Sequence, residues 1–481
     1  MLFNSLAFMI FLPVVFVLYW GIPHKYRWIL LLFSSYYFYM SWNIKYIMLI
    51  FLTSFISYTA SILIEKKNII IKRLILCGAI FLCLGVLFFF KYFTFLGNSL
   101  IQCLSIFSIH LHPITLKLVL PVGISFYTFQ TLSYVIDVYR GDINAEYHFG
   151  KYAAFISFFP QLVAGPIERS KNLLPQIKKE HIFNSQQALY GLKLILWGLF
   201  KKVVVADNLA VYVDRVYNNI FEFKGFSLIL VTLFFSVQIY CDFSGYSDIA
   251  RGTAKLMGIE LLENFKSPYF SASIKEFWNR WHISLSTWFR DYVYIPLGGN
   301  RVSKVRHHLN ILITFLVSGL WHGANWTFIV WGGVHGAAQV VENLFGVHIN
   351  EKRGSIVWGV KVILVFTFIS VSWIFFRSKN LTEVAYIFSN LFYGLNNPIT
   401  YLHSGFVDIQ MNIGQAITYV CLYFFPLFLY DYISVMKDED TIKYMEEKYL
   451  IFRWTIYIFI GLTIIFLSPK GVATEFVYFQ F

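Results

Sequence analysis

Uncharged apolar runs, most of them close to the length of a membrane helix, alternate with short polar loops along the whole chain. Those at residues 2–20, 74–90, 226–240, 309–321, 362–376, 412–430 and 454–468 are plain enough to form all or most of a span. Others, near 28–44, 45–64, 114–132, 150–167, 187–204 and 324–345, are interrupted by Gly, Pro, Ser or a charge. A helix needs ~20 apolar residues to cross the hydrocarbon layer, where every backbone polar group must be satisfied within the protein. The pattern therefore predicts an all-α, polytopic integral membrane protein with roughly 11 to 13 membrane segments, some of which enter without crossing.

Basic residues gather in four short loops: His24, Lys25 and Arg27; Lys66, Lys67, Lys72 and Arg73; Arg169, Lys171, Lys178 and Lys179; and Arg301, Lys304 and Arg306. The positive-inside rule puts these loops in the cytoplasm and the N-terminus outside. The opening MLFNSLAF has no basic residue before its apolar run and no small-residue cleavage site after it, so the first span is expected to be retained.

Composition agrees, with 58% hydrophobic residues, 14% charged residues and a mean hydropathy of +0.61. The net charge of +13 is spread among loops that flank apolar runs, which fits membrane lipids as partners and speaks against nucleic acid. Cys77, Cys83, Cys103, Cys241 and Cys421 lack metal-type spacing and read as core thiols, and no metal site is expected. Neither a repeat nor a long linker divides the sequence. Residues 1–481 are expected to form one integral membrane domain, with a motif-bearing core at about 114–345 and plainer C-terminal spans at 355–468.

Polar interruptions concentrate between residues 121 and 302. In FFPQLVAGPIERS (158–170), Pro160, Gly165 and Pro166 break a helix at membrane depth, where protein or water must cover the freed backbone, and a cavity wall is the expectation. In QIYCDFSGYSDIARG (238–252), Asp242 and Asp248 lie roughly 240° apart around a helix, so they are not expected to form one carboxylate or metal site. SIKEFWNRWHISLSTWFRDYVYIPLGGNR (273–301) is too polar to span and too aromatic for a free loop. At ~100° per residue, Lys275, Asn279, His282, Ser286 and Arg290 share one face, and Trp281, Leu285, Trp288 and Tyr292 form a second stripe. A single amphipathic helix is predicted. Its polar face turns either to a cavity or, equally well, to water and lipid phosphates as an interfacial anchor.

In SGLWHGANWTFIVWGGVHG (318–336) and the turn before it, Thr314, Ser318, His322 and Asn325 recur every three or four residues as one polar stripe. Gly319 and Gly323 lie beside it, at the spacing that lets a neighbouring helix or a ligand approach the backbone. A buried histidine is usually a satisfied hydrogen-bonding group, but an ionisable side chain at membrane depth tends to face a pathway. His335 lies ~20 Å further along an uninterrupted helix, so the two histidines cannot serve one reacting atom unless the chain breaks, for which Gly332 and Gly333 are candidates. The simpler reading makes His322 chemical and His335 structural. Shielded from water, an imidazole stays neutral at cellular pH and can act as a general base. The sequence has no Gly-x-Ser-x-Gly elbow, Gly-rich phosphate loop or His-Glu-x-x-His helix. Proton abstraction from an acceptor hydroxyl, with direct attack on an activated acyl donor, is the natural use of such a site.

RWHISLSTWFRDYVYIPLGGNR (280–301), followed by SGLWHGANWTFIVWGGVHG, resembles the membrane-bound O-acyltransferase (MBOAT) family, and within it the bacterial alginate O-acetyltransferase branch. PVGISFYTFQTLSYVIDVYRG (121–141), FFPQLVAGPIER, LWGLFKKVVVADN (196–208) and DFSGYSDIARG resemble that branch's other segments in the same order. The resemblance runs from residue 1 to about 376 and implies a helical bundle in the bacterial inner membrane around a central channel. In it an acyl thioester, acetyl-CoA being the expected donor substrate with no tightly bound cofactor, meets a hydroxyl acceptor from the outer side. By motif, His322 corresponds to the family's intramembrane histidine and His282 to its second active-site position, usually Asn or His. Asn325, Arg280, Trp281, Ser284 and Gly323 are implied as substrate or channel residues.

The acceptor implied is an exported, alginate-like polysaccharide, reached through a periplasmic SGNH-type acetyltransferase partner. Peptidoglycan O-acetylation and teichoic acid D-alanylation stay open as alternatives. A transporter of lipid or polysaccharide is the competing class, since it too explains broken helices with intramembrane polar groups. Against it stand the lack of an inverted repeat and the scarcity of acidic residues at membrane depth.

Overall fold

The computed structural model describes residues 1–109, 111–114, 120–163, 165–346, 352–469 and 476–477, and every regular element among them is a helix. Each apolar run named above meets a helix, although residues 115–119 at the start of the run 114–132, and Ala164 in the Pro-rich stretch, lie outside the described residues. Among the described residues six helices are long and apolar enough to cross a membrane: Ile44–Glu65, Ile69–Ile106, Phe226–Leu256, Ile356–Arg377, Ile413–Lys437 and Leu450–Leu467. Leu6–Gly21 is apolar but shorter. The chain is thus an all-helical, multi-pass membrane protein.

It divides into two compact units, one of residues Met1–Leu192 with Ala250–Leu262, the other of Lys193–Ile249 with Glu263–Phe481. In the first, helices His24–Met40, Ile47–Glu65, Ile69–Leu87, Ile124–Arg140 and Phe149–Ser157 pack together. Polar side chains join them: Ser57 Oγ lies 2.7 Å from Tyr152 Oη, whose ring centroid is 4.5 Å from that of Tyr134. The predicted break falls at Phe158, after which a short turn, Phe159–Leu162, carries Pro160 at its start. Protein covers the backbone freed there. The Phe159 N–H donates to Ser35 Oγ at 3.0 Å, Gln161 Nε2 donates to the Phe155 carbonyl at 2.7 Å, and Phe158 and Phe159 are fully buried. The described residues of this stretch are packed interior, a correction to the expected cavity wall.

The second unit holds a large aromatic core that includes Phe235, Phe277, Trp281, Trp331, Trp373 and Phe376. Two buried lysines in the π-helical turn Phe200–Ala206 face the long helix Phe226–Leu256. Lys201 Nζ is 2.6 Å from Asp248 and donates to Ser244 Oγ at 2.9 Å; Lys202 Nζ is 2.6 Å from Asp242 and 2.9 Å from Asp207. A buried charge is tolerated only with such partners. As the 240° separation requires, the two aspartates of the long helix reach different cations. The cysteines depart from expectation: Cys83 and Cys241 are buried, but Cys77, Cys103 and Cys421 are exposed. On a membrane helix the outer face meets lipid as apolar as any core, so a thiol there needs no interior.

Candidate active site

Helix Lys304–His322 begins where Ser303 accepts the Arg306 N–H and ends at His322, after which Gly323 is extended. Asn325 then caps the next helix, Trp326–Leu344, its carboxamide oxygen accepting the Thr327 N–H at 3.1 Å. The chain therefore reverses at 323–325. Gly332 and Gly333 stay inside a continuous helix, and Asn325 leaves the predicted stripe because it belongs to the turn. The glycines serve the close approach of the two arms. A Cβ on Gly319 would lie 2.3 Å from the Phe328 carbonyl oxygen, and one on Gly332 the same distance from that of Phe315. The expected helix-to-helix use of Gly319 is what the hairpin makes of it.

This reversal also corrects the separation of the two histidines along one helix. The Trp331 ring lies 5.1 Å from His322 and 4.8 Å from His335, centroid to centroid. Their chemistry differs nonetheless. Trp278 Nε1 donates to His335 Nδ1 at 3.3 Å, and His335 Nε2 is 2.9 Å from Ser372 Oγ, which donates its own proton to the Ile369 carbonyl. His335 is thereby assigned as the Nε2–H tautomer with both nitrogens engaged by the fold. His322, 4% exposed, is walled by the edges or faces of Trp321, Trp331 and Phe376 at 5.0 to 5.3 Å.

The predicted amphipathic helix is broken at the residue that matters most. Ile274–Arg280 and Ile283–Phe289 are separate helices, and His282 between them sits in the left-handed region at φ 44° and ψ 54°. This conformation costs a non-glycine residue ~1–2 kcal/mol and persists only where surroundings enforce it. Asn264 enforces it: its carbonyl accepts the Ile283 N–H at 3.0 Å, while its side-chain oxygen accepts Ser284 Oγ at 2.6 Å and the Ser284 N–H at 3.3 Å. The break turns His282 away from the stripe into full burial, 4.6 Å from Phe243 and 6.1 Å from Trp321, ring to ring. Trp321 thus touches both His282 and His322. His282 lies outside the six apolar helices, and burial pushes its pKa down to about 3, so the imidazole is neutral.

The other four members of the stripe, Lys275, Asn279, Ser286 and Arg290, line a cavity of 720 Å³ together with Thr314 and Ser318. The four still share one wall despite the broken helix, with Lys275, Asn279 and Arg290 exposed at its open side and Arg290 paired with Asp291 at 2.8 Å. His322 lies one turn beyond Ser318, and ring contacts lead from cavity-lining Trp278 through Trp331, at 5.6 Å, to His322.

The remaining predicted positions are held by structural partners. Arg280 pairs with Glu276 at 2.7 Å and reaches the Lys266 carbonyl; Trp281 is buried, stacked 5.5 Å from Phe277; Ser284 is bonded to Asn264 as above. Asn325 Nδ2 donates to the Lys379 carbonyl at 2.7 Å. At Gly323 the place of a side chain is filled by the Phe328 ring, which accounts for the glycine by packing. Asn264, Trp321, Trp331 and Phe376 were not foreseen as neighbours of the histidines. Only a buried asparagine in the polar ENFKSP loop offered a sequence signal, and its partner lies 20 residues on.

Comparison with known proteins bears on the chemistry. Residues 142–378 match the model of the MBOAT, membrane-bound O-acyltransferase, family. The chain is 38% identical to "Probable alginate O-acetylase AlgI" of Pseudomonas putida over 89% of its length and 87% of that protein. It is 33% identical to "Peptidoglycan O-acetyltransferase" of Helicobacter pylori over all of its length and 98% of that protein. A "Teichoic acid D-alanyltransferase" of Streptococcus thermophilus is 31% identical over 46% of the chain and 56% of that protein.

Proposed function

Because the chain belongs to the membrane-bound O-acyltransferase family and is an O-acyltransferase, we propose that it moves an acetyl group from a cytoplasmic thioester, acetyl-CoA, across the bacterial inner membrane for O-acetylation of an exported polysaccharide. The observation that carries this reading is the burial of His322 among aromatic rings, one helical turn beyond a cavity that has Lys275 and Arg290 on its wall. Those cations suit the phosphates of the donor, and Asn279, Ser286, Thr314 and Ser318 suit a polar pantetheine-like arm.

In the proposed step His322 removes the proton from the acceptor hydroxyl as its oxygen attacks the thioester carbonyl. The tetrahedral intermediate collapses with cleavage of the C–S bond, and the imidazolium returns its proton to the thiolate. His282, neutral and fixed by the Asn264 clamp, polarises or orients the acyl group. The acceptor follows the alginate-like reading favoured by the Pseudomonas relative, with a periplasmic acetyltransferase partner relaying the acetyl group. Full-length similarity to the Helicobacter pylori protein supports peptidoglycan as the second reading. Acetyl content of surface polysaccharide and of peptidoglycan in a deletion strain, with wild type and His322→Ala restored, tests both. The first reading expects polysaccharide acetyl to vanish in the deletion and to return with wild type alone; loss confined to peptidoglycan moves the assignment to the second.

A further inference from the structure

Phe476 and Val477, which follow the helix Leu450–Leu467 by several residues, are buried in the second unit at 1% and 5% exposure. Their contacts are specific. The Phe476 ring lies 5.4 Å from Phe243 and 5.1 Å from Tyr246, and the Val477 N–H donates to Asp242 Oδ2 at 2.6 Å. Asp242 is the carboxylate paired with Lys202, so the bond ends on a charge that is already fixed. Phe243, next in sequence, is the ring 4.6 Å from His282 and nearly perpendicular to it. Asn264 sets the backbone on one side of His282, and on another the wall is Phe243 backed by Phe476.

We propose that Phe476 and Val477 are positioning residues for acyl transfer: bonded to Asp242, they hold Phe243 against His282 and so keep its imidazole in the orientation the reaction needs. This rests on the reading of His282 as a group that touches the acyl donor. A ring in van der Waals contact on a packed wall transmits a displacement of its support, and a misplacement of ~1 Å at a reacting group can lower a rate by up to ~100-fold. Two further features make the contact more than filling. The backbone bond to a buried carboxylate is charge-assisted, and it fixes the position of Val477 and with it the ring of Phe476 against Phe243.

The test uses the full-length protein in detergent, acetyl-CoA as donor and, as acceptor, the cell envelope of the deletion strain, which carries both the partner protein and the polysaccharide, with folded yield and melting temperature measured alongside. Phe476→Ala is expected to lower kcat about ten-fold while KM for acetyl-CoA stays within about two-fold. Phe476→Leu, which keeps most of the bulk, should recover most of kcat, and Val477→Pro, which removes the N–H, should behave like Phe476→Ala. Wild-type kcat in Phe476→Ala, with kcat reduced in His282→Ala, overturns this proposal and spares the site. Wild-type kcat in His282→Ala overturns the reading on which it stands. Loss of kcat only in proportion to lost folded protein, in the Ala and Leu variants alike, also overturns the proposal, because packing alone would then explain it.

Discussion

His335 has both ring nitrogens committed to the fold, to Trp278 on one side and Ser372 on the other. Replacing it by Ala leaves those buried groups without their partner, at ~1–3 kcal/mol. His335→Ala should therefore lower the melting temperature and folded yield in detergent, while kcat per folded molecule stays near wild type. His282 makes a different prediction because its backbone is left-handed and its ring is held neutral. Asn adopts that conformation more readily than Ala, so His282→Asn should preserve the melting temperature and His282→Ala should lower it. The pH dependence follows from the depressed pKa. Between the ordinary value of 6.5 and about 3 the unfolded chain binds a proton at this residue and the folded one does not, so His282 costs stability increasingly as pH falls below 6.5. The wild-type melting temperature should drop more between pH 7 and pH 5 than that of His282→Asn; equal drops would contradict this account of the residue.

At the scale of elements, the hairpin Lys304–His322 and Trp326–Leu344 depends on backbone approach at Gly319 and Gly332. Gly319→Val places side-chain atoms where the Phe328 carbonyl stands, so folded protein should be lost, as size-exclusion chromatography after extraction would report. The existence of both arms was legible from apolar runs, and the glycine spacing pointed to close packing. The turn was not placed, because Gly332-Gly333 looks the stronger breaker while the Asn325 cap that ends the ambiguity is a hydrogen bond rather than a periodicity. The segment 273–301 teaches the same lesson more sharply. Its helical projection put Lys275, Asn279, Ser286 and Arg290 on one face, and all four line one cavity. It could not foresee that His282 leaves that face, because the cause is Asn264, outside the segment and invisible to a local pattern.

At the scale of the molecule, the sequence carried the membrane class, the all-helical fold and, through motif resemblance, the acyltransferase family. It did not carry the aromatic enclosure of the histidines, which assembles from helices far apart in the chain, or the burial of Phe476. The cavity makes a prediction of its own, since Lys275 and Arg290 are the cations proposed to meet the donor's phosphates. Removing either should raise KM for acetyl-CoA by about 1 kcal/mol, roughly five-fold, and the effect should shrink at high salt. His322 is proposed as the base that activates the acceptor hydroxyl. That role is tested most directly by acetyl transfer from acetyl-CoA with purified His322→Ala, checked for wild-type folding. The account predicts that transfer falls at least ~100-fold with little change in KM for the donor; transfer at the wild-type rate by the folded variant would contradict it.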